Sequence, residues 1–323
     1  VRKNIVVFNR LPAALVQQLS ETYNVTVIDP QGDFDSQLKR ALPEAHGLIG
    51  ASKRLGREQL AEAQNLEVIS SVSVGYDSYE VDYLTERGIM LTNTPDVLTQ
   101  TTADLGFALL MSAARRLPEL DAYVKAGQWH QSIGEAQFGT DVYGKTLGII
   151  GMGRIGAALA KRGRFGFDMN ILYTANSPKP DLEKELDAAF CDLKTLLQSS
   201  DFVCLVAPLN ESTYHMIGAY ELQLMQPSGI LINIGRGPLI DEAALYDALC
   251  NERIRGAGLD VFEREPLEAS PLFSLKNIVT LPHIGSATHE TRYAMAERAV
   301  ANLTAVLNGT RPRDLVNPQA WAD

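Results

Sequence analysis

Residues 146–156, Thr-Leu-Gly-Ile-Ile-Gly-Met-Gly-Arg-Ile-Gly, restrict the fold of this chain more than any other stretch. The apolar run 147–150 reads as a buried parallel strand. Gly151, Gly153 and Gly156 then spell G-x-G-x-x-G, with Arg154 and Ile155 between the last two, and lead into an alanine-rich helix reaching residue 164. Each glycine answers a separate steric demand. The first permits a tight turn, the second lets backbone approach a pyrophosphate, and the third lets the helix close on the strand. Free N–H groups and the positive end of the helix dipole then face the phosphates, so the stretch reads as a dinucleotide-binding turn.

A chain of 323 residues has room for two domains, and 46% hydrophobic with 21% charged residues suits a globular protein. Lys and Arg number 29 against 39 Asp and Glu, a formal charge of -10, and no basic stripe could track a phosphate backbone. Nucleic acid is therefore not an expected partner. Cys191, Cys204 and Cys250 form an odd, unspaced set, which excludes a disulfide framework or a C-x-x-C metal or redox site. They read as buried, reduced thiols, and no metal is expected. The sequence has no signal-peptide pattern and no 18-residue uncharged apolar run, so no membrane association and a cytoplasmic location are expected.

Before the glycine turn, strand patterns at 5–8, 25–28, 47–50, 68–72 and 89–91 alternate with helical ones at 13–21, 36–42, 57–64 and 81–87. This predicts a parallel α/β unit whose carboxyl rim carries Asn9, Arg10, residues 51–54 and residues 73–77. A long helix follows over 98–117, interrupted by Pro118. The loop-rich arm 125–144 carries Trp129, His130, Phe138 and Tyr143; exposed aromatics there suit a subunit contact. After the glycine turn, strands are expected at 170–174, 202–206, 229–234, 257–261 and 278–281, helices at 220–225 and 241–251, and a terminal helix at 288–307.

Three strand ends bring reactive side chains. The apolar run before Gly235-Arg236-Gly237 places a cation at a strand's carboxyl end, where a guanidinium's planar fork suits a carboxylate and an adjacent carbonyl. Asp260 ends the next strand, and Glu265 precedes a proline. His283, in Pro-His-Ile-Gly, follows a further strand. With five histidines in the chain, one at the same rim as Arg236 and Glu265 reads as an acid–base group.

This ordered set resembles the D-isomer-specific 2-hydroxyacid dehydrogenase family over essentially the whole chain. Val72-Ser-Val-Gly-Tyr-Asp-Ser, the glycine stretch and Pro282-His-Ile-Gly-Ser-Ala-Thr-His-Glu-Thr-Arg292 resemble its glyoxylate/hydroxypyruvate/2-ketogluconate reductase branch. The resemblance implies an α/β protein of two Rossmann-like parallel-sheet domains with a cleft between them. Residues 1–97 and 288–323 would form a flavodoxin-like substrate domain, and residues 98–287 the dinucleotide-binding domain.

It also implies reduction of small 2-keto acids to D-2-hydroxy acids. Arg236 would hold the carboxylate, His283, held protonated by Glu265, would protonate the forming alkoxide, and the N–H groups of Val74 and Gly75 would assist. The cofactor set comprises Gly151, Gly153, Arg154, Ile155, Gly156, Thr174, Asn176, Ser177, Lys179, Ala207, Pro208, Ile234, Gly235, Asp260, His283 and Gly285. A homodimer is implied as well. NAD-specific relatives carry an acid after the second strand, yet Leu172-Tyr-Thr-Ala-Asn-Ser177 has none, and Asn176, Ser177 and Lys179 could meet a 2′-phosphate. NADP(H) is favoured, with NAD(H) an alternative.

Arg10, Ser52, Lys53 and Arg54 complete the expected substrate rim. Three extra cations there point to a second anionic end on the substrate, so 2-ketogluconate or 2-keto-6-phosphogluconate is the first expectation and glyoxylate or hydroxypyruvate the alternative. The fold also serves dinucleotide-sensing corepressors, which makes a binding protein the competing class.

Overall fold

The computed structural model describes residues 2–321. The chain divides into two compact units, residues 1–98 with 287–323 and residues 99–286.

The first unit begins with β1 (Asn4–Val7), α1 (Ala13–Thr22), β2 (Asn24–Val27), α2 (Phe34–Ala41), β3 (Gly47–Gly50), β4 (Val68–Ser71), α3 (Val81–Glu86) and β5 (Met90–Thr92). All strands pair in parallel in the order β2-β1-β3-β4-β5. This is the doubly wound flavodoxin-like order, which puts the loops after β1, β3 and β4 on one carboxyl edge. Strand β4 is fully buried although half of it is serine. Its hydroxyls are satisfied internally: Ser70 donates to the Ala299 carbonyl at 2.8 Å and accepts from Thr92 at 2.9 Å.

The helix expected over 57–64 is instead a run of turns. Leu60 N–H reaches the Gly56 carbonyl, but Ala63 bonds Leu60 and Gln64 bonds Glu62, so no helical ladder is established. Leu60 and Ala63 are buried all the same, as a helix of this segment would also bury them.

The second unit opens with α4 (Thr99–Arg115) and α5 (Leu117–Lys125). The expected single helix breaks at Arg116, which is left-handed at φ 56°, while Pro118 lies harmlessly in the first turn of α5 where its missing N–H has no helical partner to lose. Arg116 closes the break through Glu119, at 2.7 Å, and the Ala136 carbonyl, at 2.6 Å.

The chain continues through β6 (Thr146–Ile150), α6 (Arg154–Phe167), β7 (Asn170–Thr174), α7 (Pro180–Leu186), β8 (Ala188–Phe190), α8 (Leu193–Ser199), β9 (Phe202–Leu205), α9 (Ala219–Leu224), β10 (Ile230–Asn233), α10 (Glu242–Cys250), β11 (Gly256–Leu259) and β12 (Ile278–Thr280). The seven parallel strands run β12-β11-β10-β9-β6-β7-β8. The order in which strands are added reverses between β6 and β9, the switch point at which such sheets receive nucleotides.

Strand β8 had no counterpart in the sequence reading. Three residues are too few to display a period, and pairing with β7 together with a Phe190–Tyr173 ring contact at 5.4 Å defines it. One apolar cluster, including Leu109, Leu159 and Ile232, fills one face of the sheet, and a second, including Leu197, Leu222 and Leu245, fills the other. Cys204 is buried and Cys191 partly so, but Cys250 is exposed at the end of α10, which corrects the expectation of three buried thiols. The chain returns to the first unit with α11 (His289–Leu307), capped by Thr288. Among the described residues no helix is long and apolar enough to cross a membrane.

Candidate active site

The three glycines of the β6–α6 turn differ in what a side chain would meet. At Gly151, φ is +103° and an added Cβ would lie 2.7 Å from the Ala207 nitrogen, across the switch point. At Gly156 it would lie 2.2 Å from the Gly151 carbonyl oxygen. At Gly153 it would meet no atom within 4 Å. Gly151 and Gly156 are thus required by the turn itself, whereas Gly153 keeps a surface low where a ligand's backbone contact would fall. No side chain caps α6, a helix of 14 residues, so its N-terminal donors suit a pyrophosphate. Pro208 and Ala207 follow β9, and Ile234 and Gly235 follow β10, along the same edge. A Cβ on Gly235 would approach the Ala207 carbonyl at 3.2 Å.

At the end of β7, Thr174 accepts from Gly151 N–H at 3.0 Å. Asn176, Ser177 and Lys179 are exposed, with the Lys179 ammonium 3.4 Å from the Ser177 hydroxyl. The Lys179 backbone N–H donates to the Tyr173 hydroxyl at 2.6 Å, and that hydroxyl donates to Glu183 at 2.7 Å. The loop therefore offers a cation, a hydroxyl and an amide together. These residues fit a dinucleotide, including one with a 2′-phosphate.

Arg236 lies in the loop after β10. Asn233, only 1% exposed, organises that loop: its amide donates to the Arg236 carbonyl at 2.8 Å, and its oxygen accepts from Gly235 N–H at 3.0 Å. Directly after the next strand comes Asp260, equally buried, whose two carboxylate oxygens accept from the N–H groups of Ile284 and Gly285 at 2.7 and 2.8 Å. These bonds hold the loop in which His283 adopts φ 54°. Burial raises the Asp260 pKa, Glu265 adds to the rise, and the two N–H groups and His283 oppose it.

Glu265 completes the arrangement. Its Oε2 is 2.5 Å from His283 Nδ1, and its Oε1 accepts from Phe262 N–H at 2.9 Å. Partial burial pushes its pKa up, but the His283 hydrogen bond, the Phe262 N–H and the charges of His283 and Arg236 outweigh burial and hold it below the usual value. An ionised carboxylate only accepts, so His283 Nδ1 carries the proton in this pair and Nε2 is the nitrogen left to act elsewhere. Sequence reasoning did not find Asn233. The signal was a polar residue closing the otherwise apolar run Ile-Leu-Ile-Asn.

In the first unit, Val74 and Gly75 sit in a turn whose carbonyls are engaged, by Asn93 at 2.8 Å and by the Ser73 hydroxyl at 2.6 Å. Its remaining polar groups are donors, which suits an anion. Arg10, Lys53 and Arg54 are the cations expected at this rim. Lys53 lies over the Phe34 ring, 4.4 Å from its centroid, and Arg54 is exposed. Ser52, between them and β3, is left-handed at φ 56°. Arg10 instead shares with Arg292, Thr288, His289 and Tyr293 the wall of an open groove of about 1030 Å³ beside the start of α11. Burial lowers the Arg10 pKa, Arg292 lowers it further, and Tyr79 opposes them.

A second cluster stands next to Glu265. Ligand atoms of His215, Asp241 and Glu263 lie within 4.8 Å of one another. They are already hydrogen bonded: Glu263 Oε1 pairs with His215 Nε2 at 2.8 Å, and Asp241 caps α10 through Ala244 N–H at 3.0 Å.

Residues 107–285 match the family model described as D-isomer specific 2-hydroxyacid dehydrogenase, NAD binding domain. A glyoxylate/hydroxypyruvate reductase B from Klebsiella pneumoniae is 50% identical over 321 residues, covering 99% of both chains. Its counterpart from Yersinia pestis is also 50% identical, covering 99% of this chain and 98% of the relative. Among solved structures, an NADPH-dependent glyoxylate/hydroxypyruvate reductase from Sinorhizobium meliloti, in complex with NADP and malonate, superposes with a TM-score of 0.89 at 32% identity, covering 100% of this chain and 99% of that one. A Thermus thermophilus protein gives 0.87 at 40% identity, covering 97% and 99%. With the glycine turn, Arg236, Glu265 and His283 all in place, the chain belongs to the D-isomer specific 2-hydroxyacid dehydrogenases and is an NAD(P)-dependent oxidoreductase.

Proposed function

We propose that this chain reduces glyoxylate and hydroxypyruvate to their D-2-hydroxy acids, using NADPH in preference to NADH. The observation that carries the chemistry is the 2.5 Å bond between His283 Nδ1 and Glu265. A nicotinamide cofactor, when bound, would supply the hydride that the keto carbon takes. His283, anchored through Nδ1, gives the proton on Nε2 to the carbonyl oxygen as it gains charge, while its Nδ1–H goes on donating to Glu265. Arg236 pairs with the substrate carboxylate and polarises the carbonyl. Val74 and Gly75 supply further donors to the carboxylate, a role that rests on the family resemblance.

Two observations reorder the substrate expectation. Relatives at 50% identity carry the glyoxylate/hydroxypyruvate name, and Lys53 rests over the Phe34 ring while Arg10 lines the groove beside α11. The small keto acids therefore replace 2-ketogluconate and its 6-phosphate as the leading substrates. Preference for NADPH is supported by the acid-free end of β7 and by Ser177 and Lys179. The residues 1–97 and 288–323 take the substrate role in this reading, and the residues between them the cofactor role.

A cytoplasmic homodimer fits the reading. Trp129, Phe138 and Tyr143 on the arm are 61%, 53% and 70% exposed, an apolar surface that a second copy would cover. Light scattering of the purified protein tests the dimer. Initial rates with glyoxylate, hydroxypyruvate, 2-ketogluconate and its 6-phosphate, each with NADPH and NADH, test the function. The highest kcat/KM is expected for the first two with NADPH. Higher kcat/KM for 2-ketogluconate would reverse the substrate order, and no turnover with any keto acid would favour a dinucleotide-binding regulator.

A further inference from the structure

The loop carrying Glu265 is tied at its other end by a pair of acids, Glu263 and Glu242. Glu263 N–H donates to Glu242 Oε1 at 2.6 Å, and Glu242 N–H donates back to Glu263 Oε1 at 3.2 Å. His215 Nε2 meets the same Glu263 oxygen at 2.8 Å. The exchange joins residues 21 apart, the first turn of α10 and the loop after β11.

His215 is itself tightly placed. It is left-handed at φ 50°, its N–H donates to the Pro238 carbonyl at 2.8 Å, and its ring stacks on Tyr214 with centroids 4.0 Å apart. A third contact comes from the Arg236 loop. A Cβ on Gly237 would fall 1.8 Å from the Phe262 carbonyl carbon, so the residue after Arg236 presses directly on the peptide before Glu263.

This arrangement has an electrostatic cost. Burial raises the Glu242 pKa, and the charges of Glu263 and Glu265 raise it further, with the Glu263 N–H and His215 opposing. Two acids held together beside a residue at positive φ are not what a solvated loop adopts when unconstrained. The benefit lies two residues away. Glu265 must present one oxygen to Phe262 N–H and the other to His283 at 2.5 Å, and small rotations of that loop would lengthen the second bond.

We propose that Glu263, braced by Glu242 and His215, is a positioning residue that fixes the Glu265 carboxylate against His283 and so sets the orientation of the acid–base imidazole. It resembles the outer carboxylates that orient ligating or catalytic histidines, one residue further out. The inference rests on the assignment of His283 as proton donor, and its test includes a measurement independent of turnover.

The full-length protein, labelled with 15N-histidine, gives that measurement as the downfield Nδ1 proton of His283, identified by its loss in H283A. In E263A the resonance should shift upfield or broaden. With glyoxylate and NADPH, kcat should fall about tenfold or more, while KM and NADPH affinity stay within about threefold, a pattern of lost transition-state rather than ground-state interactions. E263Q keeps an oxygen that accepts from Glu242 N–H, and should recover most of the loss in both readouts. If E263A does not fold, H215A, which removes one arm of the brace, should produce a smaller change of the same kind.

An unshifted His283 proton in E263A, or in H215A when E263A is unfolded, overturns the proposal. Equal losses in E263Q and E263A, in step with falling Tm, also overturn it, because a merely structural role predicts that result. Failure to reduce any keto acid, with the proton shifted as expected, would instead discard the functional reading and leave the positioning role intact.

Discussion

The two units share one architecture, a parallel sheet between helices, but use the carboxyl edges of their strands differently. In the first unit short clips join neighbouring loops: Asn9 bonds both the N–H and the carbonyl of Ala51, at 2.6 and 2.5 Å, and Asn93 donates to the Val74 carbonyl at 2.8 Å. Beyond those clips, Arg10 lines the groove beside α11, Lys53 rests over the Phe34 ring and Arg54 is exposed. In the second unit successive loops are cross-bonded. Asn233 holds the Arg236 loop, Asp260 holds the His283 loop, and Glu265 bonds His283 directly. A doubly wound sheet supplies a place for chemistry; buried polar bonds between its loops supply the geometry.

The largest expected effect tests whether function follows those bonds. H283A should lower kcat by about 10²–10⁴-fold, the range for a lost general acid, with NADPH affinity nearly unchanged in titrations. Turnover within threefold of the parent would remove the second unit's claim to the chemistry. D260N comes next. An asparagine offers one oxygen where two N–H groups are held, so the His283 loop should loosen and kcat fall by about tenfold, corresponding to about 1.4 kcal/mol.

A pair of glycine variants sharpens the comparison within one turn. G156V should abolish cofactor binding and lower Tm, because its Cβ would strike the Gly151 carbonyl. G153V should weaken NADPH binding while Tm holds, since its Cβ meets no protein atom. Equal Tm losses in both would show that the second glycine serves the fold rather than the ligand.

Glu265 gives a pH signature of known sign. Its folded pKa is lowered, so it stabilises the fold at pH values above its unfolded pKa, and that contribution disappears as pH falls through the folded value. Urea unfolding across the acid range should show a component of lost stability in the parent that is absent from E265Q. Asp260, whose pKa burial raises, runs the other way: its penalty is full above the folded pKa and is relieved as pH falls through that value. The smallest effect belongs to the first unit. K53A and R54A should leave kcat/KM for glyoxylate within about threefold, and a tenfold loss in either would revive a second anionic substrate group.

The glycine turn, most of the alternation of strands and helices, and the places of Arg236 and His283 after strand ends were legible in the sequence, because each depends on local spacing or on an apolar run that stops. The 57–64 segment was misread because two turns and one short helix bury similar apolar residues, and only the hydrogen bonds distinguish them. Strand β8 is defined by its neighbour rather than by its own three residues. Asn233 and the Glu242–Glu263 exchange escaped for a related reason: a polar residue's partner many positions away leaves no periodic trace.

The sequence by itself determined that this chain turns a strand into a helix around a dinucleotide and carries an arginine, a glutamate and a histidine at strand ends. Tertiary structure alone decided that Lys53 rests over an aromatic ring and which acids hold the histidine loop. The physical reason is range. Sterics of a turn act over a few residues, whereas Asp260 acts on residues 24 and 25 positions away and Glu242 on one 21 positions away, distances that only the folded sheet closes.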